Sequence, residues 1–332
     1  MATRATRAAR NAEAVATGPL GALSHDELGV IVDGLADPLQ PVVAVALSST
    51  CLGLRTPLLA ALVLLQQRHA RAVALCHKVG TTCAVLSDAQ ALRWTSAGLT
   101  ADDMATLGMI LRTSGLPRLV AFDLSNNSFG DAGMQSMCEG LGSGGAPMLG
   151  VLGLGQQGTP TVGPSGTIIL DHGNDEFGTA GAEALATVLQ SGALPRLIAL
   201  GVNAASIGSQ GLTALAAPLR KLPGLLSLSL TLCEIGDEGV ASLVGNLGKD
   251  DFKALNQLHL TGNLITDTGM TKLAGAIDAG GMPKLVDSEG DLEGGLWKGN
   301  VLASAAAGQA VHDALARRQG APFDLANFLG LS

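Results

Sequence analysis

The stretch LHLTGNLITDTG, residues 258–269, sets Leu258, Leu260, Asn263 and Ile265 at fixed intervals and closes on Gly269. An amide inside an apolar row is costly to bury unless both its ends are hydrogen-bonded. The row starts at Leu255 and reads L-x-x-L-x-L-x-x-N-x-I. It returns as Leu225, Leu228, Leu230, Cys233 and Ile235, and before that as Leu197, Leu200, Val202, Ala205 and Ile207. Further upstream stand Leu119, Phe122, Leu124, Asn127 and Phe129. Leu149, Leu152, Leu154 and Gln157 follow the same frame, with the last apolar position delayed to Phe177. A worn copy (Leu92, Trp94, Ala97, Leu99) precedes these units and another (Trp297, Asn300, Leu302) follows them.

The second half of each unit repeats as well. Gly133, Gly181, Gly211, Gly239 and Gly269 lie four residues past the terminal Ile or Phe. Apolar pairs four apart come next, among them Leu215 and Leu219, Leu243 and Leu247, Leu273 and Ile277. A period of two giving way to a step of four is a strand giving way to a helix. Asp131, Thr179, Ser209, Asp237 and Asp267 stand two residues past the Ile/Phe position, where each is expected to cap its own helix.

Strand, polar position, cap and glycine recurring together resemble the leucine-rich repeat family, in its long ribonuclease-inhibitor-like class, over roughly residues 87–316. The resemblance implies an α/β solenoid: a leucine-rich repeat horseshoe, with a concave parallel β-sheet and convex α-helices, preceded by a small helical domain. Asn263 is expected to bond the turn of its own repeat and that of the next one. Ala97 and Ala205 depart from the family's Asn or Cys, so the ladder is expected to break there, with water or backbone substituting.

The segments divide as a basic tail over 1–17, a helical domain over 18–66 and a linker with an N-terminal capping repeat over 67–115. The repeats proper follow over 116–284, then a C-terminal capping repeat over 285–316 and a tail over 317–332. Units bury their faces only against neighbours, which is why the end units are read as caps. One unit carries an insertion, GTPTVGPSGTIILDHGND (158–175). Its Gly and Pro mark a loop leaving the solenoid edge, with a short strand at TIIL. Residues 42–65, the most apolar stretch, are read as buried helix, since Arg55 and Pro57 interrupt it short of a membrane span.

Residues 18–66 obey no repeat, and Leu23, Glu27, Leu28, Ile31, Leu35, Leu47, Cys51, Leu54 and Arg55 resemble an F-box. That resemblance implies docking on the Skp1-type adaptor of cullin ubiquitin ligases, through Leu23, Leu28, Ile31, Leu35 and Leu47. His25 stands where the family usually has Pro, and Leu54 where an aromatic is common. A plain helical cap for the solenoid fits the segment equally well.

The chemistry-bearing motifs are sparse. The formal net charge of −8 argues against a nucleic-acid backbone as partner. Five scattered cysteines suit reduced thiols and a cytoplasmic location, while Arg4, Arg7 and Arg10 leave organelle import open. Cys76, His77 and Cys83 offer no C-x2-C pair and no fourth ligand, and the chain lacks a P-loop, a G-x-S-x-G and an H-E-x-x-H. No catalytic residue, cofactor or metal is therefore expected. A partner is expected on the concave face, where residues between the leucines point outward. The candidate binding residues there are Asp123, Ser125, Asn126, Asn203, Ser227, Ser229, Thr231, Gln257, His259 and Thr261. The reading is a protein–protein interaction module, with substrate recognition for a cullin-type ligase as its sharpest form. A purely structural subunit is a further alternative. So is a small-GTPase activator resembling the Ran GTPase activators, whose acidic tail has no counterpart in RRQGAPFDLANFLGLS (317–332).

Overall fold

The computed structural model describes residues 30–31, 36–43, 45–46, 59–155, 159–162, 168–171, 177–286, 299–300 and 302–317. The chain divides into two compact units, residues 1–87 with 113–115, and residues 88–112 with 116–332.

The first unit contains α1 (Leu59–Lys78) and α2 (Cys83–Ser87). Leu65, Ala72, Leu75 and Cys76 form the buried stripe of α1. Their spacing is that of one helical face. The helix begins just past Pro57 and runs without a break through residue 66. It ends at Gly80, whose φ of 69° is the left-handed conformation that terminates helices. The expectation of a buried helix over 42–65 is corrected for its described residues: Val42 is 74% exposed, Val43, Val45, Leu59, Val63 and Leu64 are exposed too, and Leu65 alone among the described residues of this stretch is buried. Hydrophobicity without a helical stripe did not specify burial.

In the second unit short strands alternate with helices: β1 (Ala91–Arg93), α3 (Ala101–Thr113), β2 (Ala121–Asp123), α4 (Gly130–Gly142), β3 (Val151–Gly153). After the hairpin β4 (Thr159–Val162) and β5 (Ile168–Asp171) come α5 (Thr179–Gln190), β6 (Ala199–Gly201) and α6 (Gly208–Arg220). The series closes with β7 (Ser227–Ser229), α7 (Asp237–Val244), β8 (Gln257–His259), α8 (Asp267–Asp278) and α9 (Ala305–Ala316). Six strands form one sheet in the order β1-β2-β3-β6-β7-β8, each neighbouring pair parallel. Helices α4 to α9 pack side by side in chain order. The unit is an α/β solenoid.

The register puts Leu92, Phe122, Leu152, Leu200, Leu228 and Leu258 in one file, all facing the core. A second file, Leu124, Leu154, Val202, Leu230 and Leu260, is fully buried. Burying a side chain of this size contributes roughly 1.5–3 kcal/mol, so the files supply most of the drive for stacking. Trp94 covers the first coil of this unit, edge-on against Phe122, with ring centroids 5.2 Å apart. Leu302, expected at an inward position, is 55% exposed instead.

Asn263 is buried in the strand-to-helix turn. Its Nδ2 donates to Leu260 O (2.9 Å) in its own coil and to Leu230 O (2.8 Å) in the coil before. Its Oδ1 accepts from Cys233 N (2.8 Å) and Ile235 N (3.0 Å), also in the coil before. Asn127 repeats the pattern, donating to Leu124 O and Trp94 O and accepting from Leu99 N at 2.9 Å. The amide thus reaches back along the stack, which corrects the expectation that it bonds the next repeat. At Ala205 the backbone closes the turn itself, Ile207 N donating to Ala205 O at 2.8 Å.

The presumed helix caps are a second correction. Asp131 Oδ1 accepts from Gly178 N (2.8 Å) and Gly181 N (2.7 Å) at the start of the following helix. Ser209 Oγ accepts from Gly236 N (2.9 Å), and Asp237 Oδ1 from Thr266 N and Gly269 N (2.8 and 3.0 Å). Asp267 Oδ2 takes the Ser304 hydroxyl at 2.9 Å. Thr179 instead donates to Ile207 O at 3.2 Å. These side chains already lie inside the first turn of their own helices, so they point across to their neighbour rather than back over their own N-terminus. The glycine column makes room for them: a Cβ on Gly269 would overlap Asp237 Oδ1 and sit 2.6 Å from Ile265 Cγ2.

Helix α7 is short, ending at Val244, so Leu247 lies beyond it and the expected Leu243–Leu247 pair is not a helical one. Arg220 covers its free end, donating to Ser242 O and to Leu243 O (3.0 Å). The following loop is held by buried Asp251, which accepts from Lys221 Nζ at 2.6 Å and Gly248 N at 2.9 Å. The insertion joins β4 to β5 as an antiparallel pair, Thr159 opposite Asp171 and Val162 opposite Ile168. The sheet closes over that point, with Val151 opposite Ala199.

Candidate binding face

Strand alternation puts every second residue of the sheet on the face away from the helices. The first column across that face is Ala91, Ala121, Val151, Ala199, Ser227, Gln257, and the second Arg93, Asp123, Gly153, Gly201, Ser229, His259. Backbone pairing continues past the strand ends, with Ser96 N on Ser125 O and Leu232 N on Thr261 O. A third column, with Thr95, Ser125, Gly155, Asn203, Thr231 and Thr261, extends the surface.

Asp123, Ser125, Asn203, Ser229, Thr231, Gln257, His259 and Thr261 are all half-buried members of these columns. Ser227 departs from the expectation: it lies in its column but is 8% exposed, so it is part of the floor rather than a contact residue. Asn126 stands off the columns. It takes a left-handed turn (φ 58°), as do Ser96, Ala204, Leu232 and Gly262 at the equivalent place in other coils. That file was invisible in the sequence because only one of the five is glycine and one Asn, the residues that favour the conformation.

Two polar clusters face each other across a gap. On one side Asp123 accepts from the Thr95 hydroxyl (3.1 Å) and from Ser125 N (3.0 Å). On the other, Asn203 Oδ1 accepts from the Ser229 hydroxyl (2.6 Å) and Thr231 N (3.2 Å). Between them Gly153, Gly155 and Gly201 present bare backbone, so a partner's main chain can approach closely. Beyond Asn203, Thr231 Oγ1 and His259 Nδ1 are shielded from solvent without a hydrogen-bond partner among the described residues. Buried polar atoms in that condition are costly and are rare in native proteins. Arg93 and Thr95, contributed by the worn first copy, were missed in the sequence; the Leu92/Trp94 alternation was the signal for them.

Of the adaptor-docking candidates, Leu23, Leu28, Leu35 and Leu47 lie outside the described residues, and Ile31 is helical and half-buried. Among the described residues no helix is long and apolar enough to cross a membrane.

A family model described as a leucine-rich repeat matches residues 117–138, 223–244 and 255–274. Those segments span β2 with the first part of α4, β7 with α7, and β8 with the first part of α8. No curated protein matches the chain.

Proposed function

We propose that this chain, a leucine-rich repeat protein, holds a protein partner across its sheet face and belongs to the ribonuclease-inhibitor-like class of the family. The class assignment is supported by units of 28 to 30 residues (Leu200 to Leu228, Leu228 to Leu258), each with a strand and a full α-helix. The observation that carries the binding reading is the glycine floor of Gly153, Gly155 and Gly201 between the Asp123 and Asn203 clusters. The face carries few charges and no large anchor, so recognition rests on close backbone approach rather than on an electrostatic patch.

The segment over residues 18–66 couples this receptor to a Skp1-type adaptor of a cullin ubiquitin ligase, with Leu23, Leu28, Ile31, Leu35 and Leu47 as docking residues, in the cytoplasm. The F-box-like spacing of those residues supports it. Pull-down of the full chain from its source cells, with the partner identified by mass spectrometry, tests the face: Gly201→Arg should abolish capture while leaving the circular dichroism unchanged. Capture unaffected by Gly201→Arg and by His259→Ala would remove the sheet face from the reading. Recovery of the adaptor with the full chain, and its loss in Leu28→Asp, tests the ligase arm separately.

A further inference from the structure

Cys76 and Cys83 belong to no repeat and to none of the surfaces described above. Cys76 lies in the last turn of α1 and Cys83 opens α2. The link between them is pinned: Val79 N donates to Leu75 O, Gly80 N to His77 O and Thr81 N to Cys76 O, at 3.1, 3.2 and 2.8 Å. Leu86 N on Thr82 O (2.9 Å) then starts the second helix. The result brings the two sulfurs to 3.7 Å, with the Cys76 thiol directed at Cys83 Sγ. Both are free thiols; Cys76 is buried and Cys83 half-buried. Both also line a cavity of about 810 Å³, walled by Leu39, Val43 and Val73 among others, which gives a small solute a path to the pair.

We propose that Cys76 and Cys83 form a redox modification site that hydrogen peroxide converts to an intrachain disulfide. The half-buried Cys83 reacts first. Its thiolate attacks one peroxide oxygen, the O–O bond breaks, and hydroxide leaves and takes up a proton as water. Cys83 is then a sulfenic acid, oxidised by two electrons while the peroxide is reduced. The Cys76 sulfur attacks Cys83 Sγ, the S–O bond breaks, and a second water leaves with the Cys76 proton. One S–S bond has formed at the cost of two S–H bonds and one O–O bond. Burial, and then the contact with Cys83, pushes the Cys76 thiol up to about 12, so it serves as the resolving thiol and not the first nucleophile.

The test uses the full chain, reduced, exposed to equimolar hydrogen peroxide, quenched, alkylated in denaturant and digested with trypsin without reductant. Cleavage after Arg71, Lys78 and Arg93 separates the two cysteines into residues 72–78 and 79–93. The expected result is that these peptides are recovered joined, that two of the five thiols are lost together, and that dithiothreitol restores both. In Cys76→Ser, Cys83 should stop at sulfenic acid and be trapped by dimedone. Oxidation of Cys83 to sulfinic acid with Cys76 still alkylatable overturns the proposal. So does a bridge to Cys51, Cys138 or Cys233, or a wild-type chain that keeps all its thiols under excess peroxide.

Discussion

The turn served by Asn263 and the turn served by Cys233 occupy equivalent places in adjacent coils and are wired differently. Asn263 Oδ1 accepts from both Cys233 N and Ile235 N, while its Nδ2 donates to the carbonyls of Leu230 and Leu260 and, at 3.5 Å, of Thr261. Cys233 Sγ donates to Val202 O and, at 3.4 Å, to Thr231 O, but it brings no amide oxygen to the turn before it, where Ile207 N folds back on Ala205 O. Both turns keep the same apolar residues fully buried, Ile235 in one and Ile207 in the other. The leucine frame therefore sets the path of the coil, and the polar side chain decides how tightly adjacent turns are tied.

Substitutions can break that comparison. Asn263→Ala removes every hydrogen bond the amide makes and orphans buried backbone groups; chemical denaturation should report a loss of about 3–4 kcal/mol. A loss no greater than that of Cys233→Ala would show that the amide's extra bonds carry nothing. Asp237→Ala, which cuts the tie between neighbouring helix starts, should cost about 2 kcal/mol near neutral pH. Burial pushes the Asp237 carboxyl up, but the bonds from Thr266 and Gly269 and the charge of Lys272 outweigh it and hold it below the usual range. Its contribution is therefore complete above the ordinary aspartate pKa of about 3.9 and is lost as pH falls through the depressed value. Denaturation of wild type and Asp237→Ala should converge in acid.

Cys233→Ala should cost about 1–2 kcal/mol, from the thiol's hydrogen bonds and a small void. Burial pushes this thiol up to about 12 against an ordinary 9.0. The unfolded chain ionises it first, so the contribution is whole below pH 9.0 and is lost as pH rises toward 12. Alkaline denaturation of the variant should lack that part of the slope. The smallest expected effect is a gain. Leu232 holds φ 57° with its side chain 48% exposed, and Leu232→Asn should stabilise by about 0.5–1 kcal/mol on thermal denaturation.

The leucine frame was readable because a fixed period fixes register, and register fixes which residues share a face. Thus Asp123, Ser229 and His259 could be aligned in one column before any coordinate was known, and Phe177 could be matched to Ile207 across the insertion. The direction of the bonds was not readable. Whether Asn263 reaches back or forward, and whether Asp237 caps its own helix or ties down the next, depends on the stagger between coils, which a one-dimensional pattern does not encode. The burial of Ser227 has the same origin, since it follows from neighbouring strands. The left-handed turns at Ala204 and Leu232 were hidden for a different reason: tertiary packing imposes a conformation against local preference.

The junction between β3 and β6 has a practical corollary. Leu152 and Leu200 pair directly although 48 residues separate them, against 28 or 30 elsewhere in the sheet. Extra length enters the chain there and leaves again without shifting any neighbour. The same spot is thus a natural splice point, where a reporter or a foreign epitope can be grafted in place of residues 158–175 while the strands on either side stay in step.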